Sequence, residues 1–342
     1  MSHIANVTIH RSQFPDAVRR DLLESLRTRR VNHKFHYDSV KQTHKWLALH
    51  QAYSPTRNDA DCEAIYQRSF ETAVAKVKSP RVRVIGLGCG GGQKDTRLLK
   101  LLKTRGKEAF YTPCDVSTAM VLTARQTALA VVPGKSCFPF VCDLATADDL
   151  HKIIWGGRRI GNPNYLGTAA RCASQNDARL VTFFGMIPNF EPKQILPKLA
   201  SLVRPKDFLL FSANLAPGKD YAGGVRKVLP QYDNPLTRDW LMTFLIDLGI
   251  ERNNGKLRFK IETDSASGLK RIVAGFHFRR PCRIEVENEA FGFRAGEAIR
   301  LFFSYRYTPG RVRALLGRHS LDVCERWMTK SEEEGVFLCR KK

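Results

Sequence analysis

A glycine-rich loop is the first group of residues in this chain whose types and spacing suit chemistry. Gly86, Gly88 and Gly90 follow the apolar residues Val84 and Ile85, and an apolar pattern with helical spacing resumes after residue 93. Glycine permits positive φ angles and lets the backbone approach a ligand, while free N–H groups at a helix start face bound polar atoms. The pattern therefore predicts a strand, a tight loop and a helix, with a nucleotide-like ligand at their junction.

Two acids stand in register with this loop, each at the end of a further apolar run. Asp115 ends the run 110–114, and Asp143 ends the run 138–142 with Leu144 directly after it. Asp115 is placed to bind a ribose, because the second βα unit of such a fold carries a ribose-binding carboxylate. Asp143 is placed to accept a hydrogen bond from an adenine amino group, with Leu144 against the ring. Each acid also suits a helix N-cap, and the two roles are compatible.

The loop alone leaves two cofactor classes open. Gly86, Gly88 and Gly91 satisfy G-x-G-x-x-G, a pattern typical of dinucleotide-dependent dehydrogenases. A purely structural role, in which the glycines close a tight βα turn, is also compatible with the loop. With an acid at the third strand end as well, the glycine loop, Asp115 and Asp143 resemble S-adenosylmethionine-dependent methyltransferases more closely than dehydrogenases.

Composition sets limits on the class of protein. The chain has 342 residues, of which 43% are hydrophobic, so it is long enough for one large core or two smaller ones. No apolar stretch approaches the roughly 18 residues of a membrane span, and residues 1–6 lack a signal-peptide layout. We expect a cytoplasmic protein. The nine cysteines include no C-x-x-C pair, which favours buried free thiols over a metal site.

The charge balance raises the question of a nucleic-acid partner. Lys and Arg number 56 against 33 Asp and Glu, a net charge of +23. The basic residues are spread along the chain without one continuous tract, which favours a solvated basic surface and a small-molecule amine as substrate. Nucleic acid remains the leading rival substrate, and the oligomeric state is not predicted.

The order of predicted elements indicates an α/β fold. Helical spacing at 17–28 and 61–77 precedes the glycine loop, strands are predicted at 180–184 and 208–212, and the end reads as a helix opened by 308–310 and two strands at 321–327 and 336–339. Segments around 35–38 and 52–57 resemble a lid or binding loop. We predict a Rossmann-like class I methyltransferase with a mostly parallel seven-stranded sheet and a second α+β substrate domain. The predicted divisions are 1–57 (substrate domain), 58–215 (methyltransferase core), 216–303 (inserted substrate domain) and 304–342 (end of the core).

Ordered motifs along nearly the whole chain resemble one family. It is the family of S-adenosylmethionine-dependent histidine Nα-methyltransferases of ergothioneine biosynthesis, which also includes fungal dimethylallyltryptophan N-methyltransferases. Besides Asp115 and Asp143, the matching segments are His36-Tyr37-Asp38, Tyr53-Ser54-Pro55-Thr56-Arg57, Gly88 to Arg97, Gly185 to Asn189, Tyr232-Asp233 and Ser304-Tyr305-Arg306-Tyr307. The resemblance implies an S-adenosylmethionine cofactor and an amino-acid acceptor.

The same resemblance assigns residues to roles. It implies that Asn189 and Tyr232 hold the carboxylate and amine of an amino acid, in a pocket lined by Tyr37 and Tyr53 and containing Ser304. A hydroxyl or a water chain from Tyr37 or Tyr53 is then the candidate proton acceptor. The implied cofactor-binding residues are Gly88, Gly90, Lys94, Asp115, Asp143, Leu144 and Gly185.

Four positions depart from the family pattern. Gly86 replaces an acid that is common before the loop, and Leu144 replaces an aromatic residue. Phe302 stands where the histidine enzymes carry a glutamate that reads the imidazole, and Phe276 stands where a methionine is usual. We therefore expect an aromatic or otherwise apolar amino acid, or a related amine, as the acceptor. The alternatives are histidine, RNA, and a non-catalytic protein that binds without reacting.

Overall fold

The computed structural model describes residues 4–53, 59–156 and 177–342. The strands within these ranges are β1 (Thr8–Ile9), β2 (Arg81–Leu87), β3 (Glu108–Asp115), β4 (Phe140–Val141), β5 (Ala178–Phe183), β6 (Phe208–Asn214), β7 (Gly255–Thr263), β8 (Lys270–Phe278), β9 (Cys282–Val286), β10 (Glu289–Phe293), β11 (Ala298–Arg306), β12 (Leu321–Met328) and β13 (Glu334–Lys341). The α-helices are α1 (Pro15–Thr28), α2 (Val40–Tyr53), α3 (Ala60–Lys76), α4 (Gln93–Thr104), α5 (Thr118–Ala128), α6 (Leu150–Gly156), α7 (Pro192–Leu202), α8 (Tyr221–Val228), α9 (Pro235–Asp247) and α10 (Pro309–Gly317).

An eight-stranded sheet positions the glycine loop and both acids. Its strand order is β1-β4-β3-β2-β5-β6-β13-β12. The neighbours from β1 to β6 pair in parallel, whereas β13 runs antiparallel to both β6 and β12. Because β2, β3 and β4 are parallel neighbours, their carboxyl ends meet at one edge, where the glycine loop, Asp115 and Asp143 lie.

The central strand β2 is buried on both faces. Val82 and Val84 pack with the apolar side chains of α3 and α4, while Ile85 and Leu87 pack with those of α7 on the other face. Such two-sided burial is typical of a parallel sheet covered by helices and explains the apolar residues at the end of this strand, from Val84 to Leu87.

A second unit covers the loop edge of the large sheet. It contains the antiparallel sheet β7-β8-β11 and the hairpin β9-β10, and its apolar core includes side chains of α9 and of the N-terminal helix α1. The Trp240 indole N–H donates to the backbone carbonyl of His36 at 2.7 Å, which ties α9 to the N-terminal segment. Residues from both ends of the predicted substrate domain therefore share one core.

The predicted α/β class and the seven strands of the methyltransferase core are present. The two-residue strand β1 adds an eighth at the edge, and β11 crosses the predicted boundary after residue 303. The division into four segments stays a prediction. Of the two segments predicted as a lid or binding loop, 35–38 overlaps a 3-10 turn at 33–36, and 52–57 begins with the last residues of α2. Residues 54–57 of that segment lie outside the described residues. Within the described ranges, no helix combines the length and apolar character needed to cross a membrane.

Candidate active site

The glycine loop connects β2 to α4 through left-handed backbone. Gly88 has a φ of 58° and Gly90 a φ of 52°, values that favour glycine. A Cβ atom at Gly88 would lie 2.5 Å from the Met186 Cγ atom, so only glycine lets the two segments approach this closely. Gly92, at φ 75°, is the N-cap of α4 and offers no side chain to its N–H groups. The loop thus leaves backbone donors at the start of a helix.

A cavity of about 290 Å³ lies beside this loop and contains the two predicted acids; we call it the Asp115 cavity. Gly88, Gly90, Asp143 and Leu144 also line it. The Asp115 Oδ2 atom accepts the Gly90 N–H at 3.0 Å, and burial raises the pKa of this carboxyl. A carboxylate held against the loop at a strand end suits the hydroxyl groups of a ribose.

Asp143 is held at the far side of the same cavity. Its Oδ1 atom accepts the Ala145 N–H at 2.8 Å, its Oδ2 atom accepts the Thr146 hydroxyl at 3.0 Å, and the Lys34 ammonium lies 3.8 Å from Oδ2. Leu144 places an apolar side chain next to it. An acceptor beside an apolar surface suits the amino group and ring of a purine.

A second cavity of about 540 Å³ lies along the other side of the loop; we call it the Lys94 cavity. Lys94, Asp95 and Gly185 line it, together with Asn214. Several residues line both cavities, so the two cavities lie next to one another. The shared residues are Tyr37, Trp46, Gly88, Gly90, Met186 and Asn189. Gly185, at φ 70°, donates its N–H to the Ser212 hydroxyl at 2.8 Å.

Asp95 fills the space left by the absent acid at position 86. A Cβ atom at Gly86 would lie 2.0 Å from the Asp95 Oδ2 atom. That carboxylate accepts the Tyr111 hydroxyl at 2.8 Å and the Thr182 hydroxyl at 2.7 Å, from the strands on either side of β2. Burial raises the pKa of Asp95, and the two hydroxyls and Lys94 partly offset it. The sequence analysis missed this replacement, although an acid two residues into the helix was visible.

Lys94 is held by a buried network of hydrogen bonds. Its ammonium donates to the Tyr66 hydroxyl at 3.0 Å, and Tyr66 in turn hydrogen-bonds to Glu334 and, at 2.7 Å, to Ser212. Burial lowers the pKa of Lys94, while Glu334 opposes that shift. Neighbouring cationic and anionic side chains at 94 and 95 suit a zwitterionic amino-acid group.

Tyr37 lies at the junction of the two cavities. Its ring packs against Trp46 and Trp240 at centroid distances of 6.0 and 5.3 Å. Burial and then the charge of Asp115 raise the pKa of Tyr37 well above its ordinary value. A raised pKa favours the protonated hydroxyl, which is able to donate a hydrogen bond. The role of Tyr37 as proton acceptor stays a prediction.

The structure does not bring Tyr53 to either cavity. Tyr53 is the last residue of α2 and its side chain is half exposed. The two ends of a helix of this length lie about 20 Å apart. Tyr37 precedes the start of α2, so Tyr53 at the other end lies well away from it. The predicted role of Tyr53 is therefore corrected. Trp46 and His50, one helical turn apart and stacked at 4.8 Å, line the Lys94 cavity instead. Their i, i+4 spacing was a readable signal once α2 was recognised.

The predicted acceptor-binding residues separate into two groups. Asn189 lines both cavities, and Asn214, beside it in the Lys94 cavity, donates to the Tyr232 hydroxyl at 3.4 Å. Tyr232 shares a 2.9 Å hydrogen bond with Ser304. Asn214, Tyr232 and Ser304 form a hydrogen-bonded chain that starts at the wall of the Lys94 cavity, while Tyr232 and Ser304 themselves line neither cavity.

Phe276 and Phe302 are buried beside that chain and line neither cavity. Phe302 packs against Trp240 and Tyr232 at centroid distances of 5.7 and 6.4 Å. A bulge after Arg300 shifts the register, so Phe302 pairs with Ala274 while Phe276 pairs with Ile299. The expectation that Phe276 reaches the pocket is corrected: its ring packs on Phe278 at 5.1 Å in the core.

The donors and acceptors of the two cavities fit S-adenosylmethionine. Carboxylates at 115 and 143 suit its ribose and adenine, and the charged pair 94 and 95 suits its amino-acid end, with the glycine loop between them. A sequence profile of the family described as "Histidine-specific methyltransferase, SAM-dependent" matches residues 18–341. The chain belongs to this family.

Two fungal relatives resemble this methyltransferase over most of its length. The N-methyltransferase imqF of Aspergillus flavus is 26% identical over 300 residues, covering 83% of this chain and 73% of the relative. The N-methyltransferase fsqC of Aspergillus fumigatus is 22% identical over 281 residues, covering 80% and 69%. The predicted family, the S-adenosylmethionine cofactor and the N-methyltransferase class are confirmed.

Solved structures with a similar chain path include other methyltransferases. An S-adenosylmethionine-dependent methyltransferase from Clostridium acetobutylicum ATCC 824 has a TM-score of 0.45 at 11% identity, covering 87% of this chain and 98% of that one. Magnesium protoporphyrin IX methyltransferase from Synechocystis PCC 6803 with bound S-adenosylhomocysteine has a TM-score of 0.45 at 13% identity, covering 90% and 97%.

Proposed function

We propose that this methyltransferase transfers a methyl group to the amino nitrogen of a small amino acid with an aromatic or apolar side chain. The observation that carries the proposal is the surrounding of Phe302. Its ring packs among Trp240, Tyr232 and His33, the last stacked at 4.9 Å, and it offers no acceptor for an imidazole N–H. Phe302 itself lines neither cavity, and it is the family resemblance that places the acceptor side chain next to it. With that placement, the apolar ring of Phe302 favours an apolar side chain over histidine.

We propose that the acceptor amine binds at the junction of the two cavities, near Tyr37 and Asn189. When bound, S-adenosylmethionine supplies a methyl group that already carries a good leaving group. The chain then has to align the amine with that methyl group and exclude water. Trp46 and Tyr37 are the apolar walls available for this purpose, and the Asn189 amide is the polar group that orients the acceptor.

The acceptor has to react as a neutral amine. An α-amino group loses its proton near neutral to mildly basic pH, and the net charge of +23 further favours the neutral form. Because a raised pKa favours the protonated form of Tyr37, we propose that solvent takes this proton before the methyl group is transferred. The expected rate then rises with pH through the pKa of the acceptor amine.

Two further expectations belong to this proposal. The described cysteines are free thiols, which fits the reducing cytoplasm in which we propose the enzyme acts. The partner is proposed to be a small molecule, and the spread of basic residues is proposed to be a solvated surface.

Calorimetric titration with S-adenosylhomocysteine, followed by an amino-acid panel in the same cell, tests the proposal. We expect the cofactor product to bind first and one of tryptophan, tyrosine or phenylalanine to bind next, with methylation confirmed by mass spectrometry. A clear preference for histidine would refute the apolar-pocket argument. Salt-dependent retention on RNA with no amino-acid binding would refute the small-molecule substrate, and no binding of the cofactor product would favour a non-catalytic protein.

A further inference from the structure

Arg306 is a buried cation for which the described part of the chain provides no ion-pair partner. The residue is 4% exposed, and no carboxylate of the described residues lies within ion-pair distance of its guanidinium. Its Nη1 donates to the Leu215 carbonyl at 3.1 Å and its Nη2 to the Tyr232 hydroxyl at 2.9 Å, while Nε is buried without a partner. An uncompensated buried charge is costly, which points to an anion that arrives with a ligand.

The hydrogen bonds that start at Arg306 have a fixed direction. A guanidinium only donates, so the Tyr232 oxygen accepts from it, and this oxygen also accepts from the Asn214 amide at 3.4 Å. Because the Tyr232 oxygen already accepts two hydrogen bonds, the hydroxyl hydrogen is available to donate to Ser304, at 2.9 Å, or to a ligand. This series of hydrogen bonds therefore offers a hydrogen-bond donor to a ligand, which favours binding of a carboxylate over binding of an ammonium group.

This donor chain reaches the site described above. Asn214 lines the Lys94 cavity together with Asn189, and its amide contacts Tyr232 directly. The Arg306 guanidinium also lies over the Tyr232 ring, 5.2 Å from its centroid, which fixes the two groups together. An anionic group bound beside Asn214 and Tyr232 would thus be separated from the Arg306 guanidinium only by the Tyr232 hydroxyl.

We propose that Arg306 is the residue that selects acceptors carrying a carboxylate, acting through Tyr232 as a positioning residue. This inference rests on the proposed amine acceptor and narrows it to an amino acid as opposed to the corresponding decarboxylated amine. A charge-assisted hydrogen bond in a buried site is lost when the guanidinium is removed. We expect the preference for acid over amine to fall roughly 10- to 100-fold in Arg306→Gln.

The test compares matched acid and amine acceptors at saturating S-adenosylmethionine. The pairs are L-tryptophan with tryptamine, L-tyrosine with tyramine, and L-histidine with histamine, each measured as kcat/KM. The wild type should prefer the acid, Arg306→Gln should lose that preference through a raised KM for the acid alone, and Arg306→Lys should keep most of it. Binding of S-adenosylhomocysteine to each variant reports that it is folded.

The outcomes separate this inference from the proposed function. Equal losses for acid and amine in Arg306→Gln, or a wild type that prefers the amines, would overturn the role of Arg306. An Arg306-dependent preference seen only with the histidine pair would support Arg306 and refute the aromatic acceptor. If no pair is methylated by a protein that binds S-adenosylhomocysteine, both are refuted.

Discussion

Replacing Gly86 with alanine is expected to destabilise the protein, although the backbone at this position is not in the left-handed region. The added Cβ atom would lie 2.0 Å from Asp95 Oδ2 and 3.0 Å from its Cγ. The carboxylate must move, and it is held by hydrogen bonds of 2.8 and 2.7 Å from Tyr111 and Thr182. The clash therefore breaks contacts that join α4 to β3 and β5.

The magnitude follows from those two bonds. A hydrogen bond to a charged group contributes about 1.5–3 kcal/mol, so losing both costs about 3–6 kcal/mol before relaxation. The lower entropy of alanine in the unfolded chain offsets about 0.4–1 kcal/mol of this. We expect the free energy of unfolding to fall by about 2–5 kcal/mol. The affinity for S-adenosylhomocysteine should also fall, because Asp95 borders the glycine loop.

Urea unfolding of four proteins measures this effect. Gly292→Ala is the matched control, because Gly292 is also a strand residue and a Cβ atom there would meet nothing within 4 Å. Asp95→Ala and the double variant Gly86→Ala/Asp95→Ala complete a cycle. Once the carboxylate is gone, the alanine at 86 should cost less than about 1 kcal/mol. Additive losses in the cycle, or a Gly86→Ala protein as stable as the control, would refute the steric argument.

Three further outcomes are expected. Burial lowers the pKa of His36 from 6.5 to about 4, so the unfolded state binds the proton first, and the free energy of unfolding falls by about 3 kcal/mol from pH 6.5 to 4. Urea midpoints should fall less steeply over this pH range in His36→Gln than in the wild type, and as steeply as in the wild type in the exposed control His44→Gln. Phe302→Glu should raise the ratio of histidine to tryptophan turnover at least about tenfold, because a carboxylate accepts the imidazole N–H; an unchanged ratio in a folded variant would contradict the pocket assignment. Tyr37→Phe should lower kcat yet leave the pH dependence of the rate in place, because a raised pKa favours the protonated hydroxyl; loss of the pH-dependent limb would contradict this.

Local sequence patterns were sufficient for the frame of the protein. The glycine loop, the acids Asp115 and Asp143 and the strands β5, β6, β12 and β13 all lie where apolar runs and turn residues predict them. These features are predictable from consecutive residues, because a strand buried on two faces is a run of apolar residues and the polar residue at its end directly follows that run. Asn189 and Lys94 also reach the predicted cleft.

Contacts between distant elements were beyond such patterns. The helical conformation of α2 brings Trp46 to the two cavities and carries Tyr53 away from them. This conformation depends on packing against α9, because the segment is polar by itself. The register bulge after Arg300 decides that Phe276 packs in the core.

The sequence by itself determined the α/β class, the S-adenosylmethionine-binding edge and the family of this protein, because each is carried by short runs with a strict local requirement. Only the tertiary structure decided which charges meet. Asp95 stands in the space that glycine leaves at 86, and Arg306 lies buried beside Tyr232 without a carboxylate among the described residues. Both facts depend on distances between separate strands and helices, and the free energy of a buried charge is set by those distances and not by its neighbours in the chain.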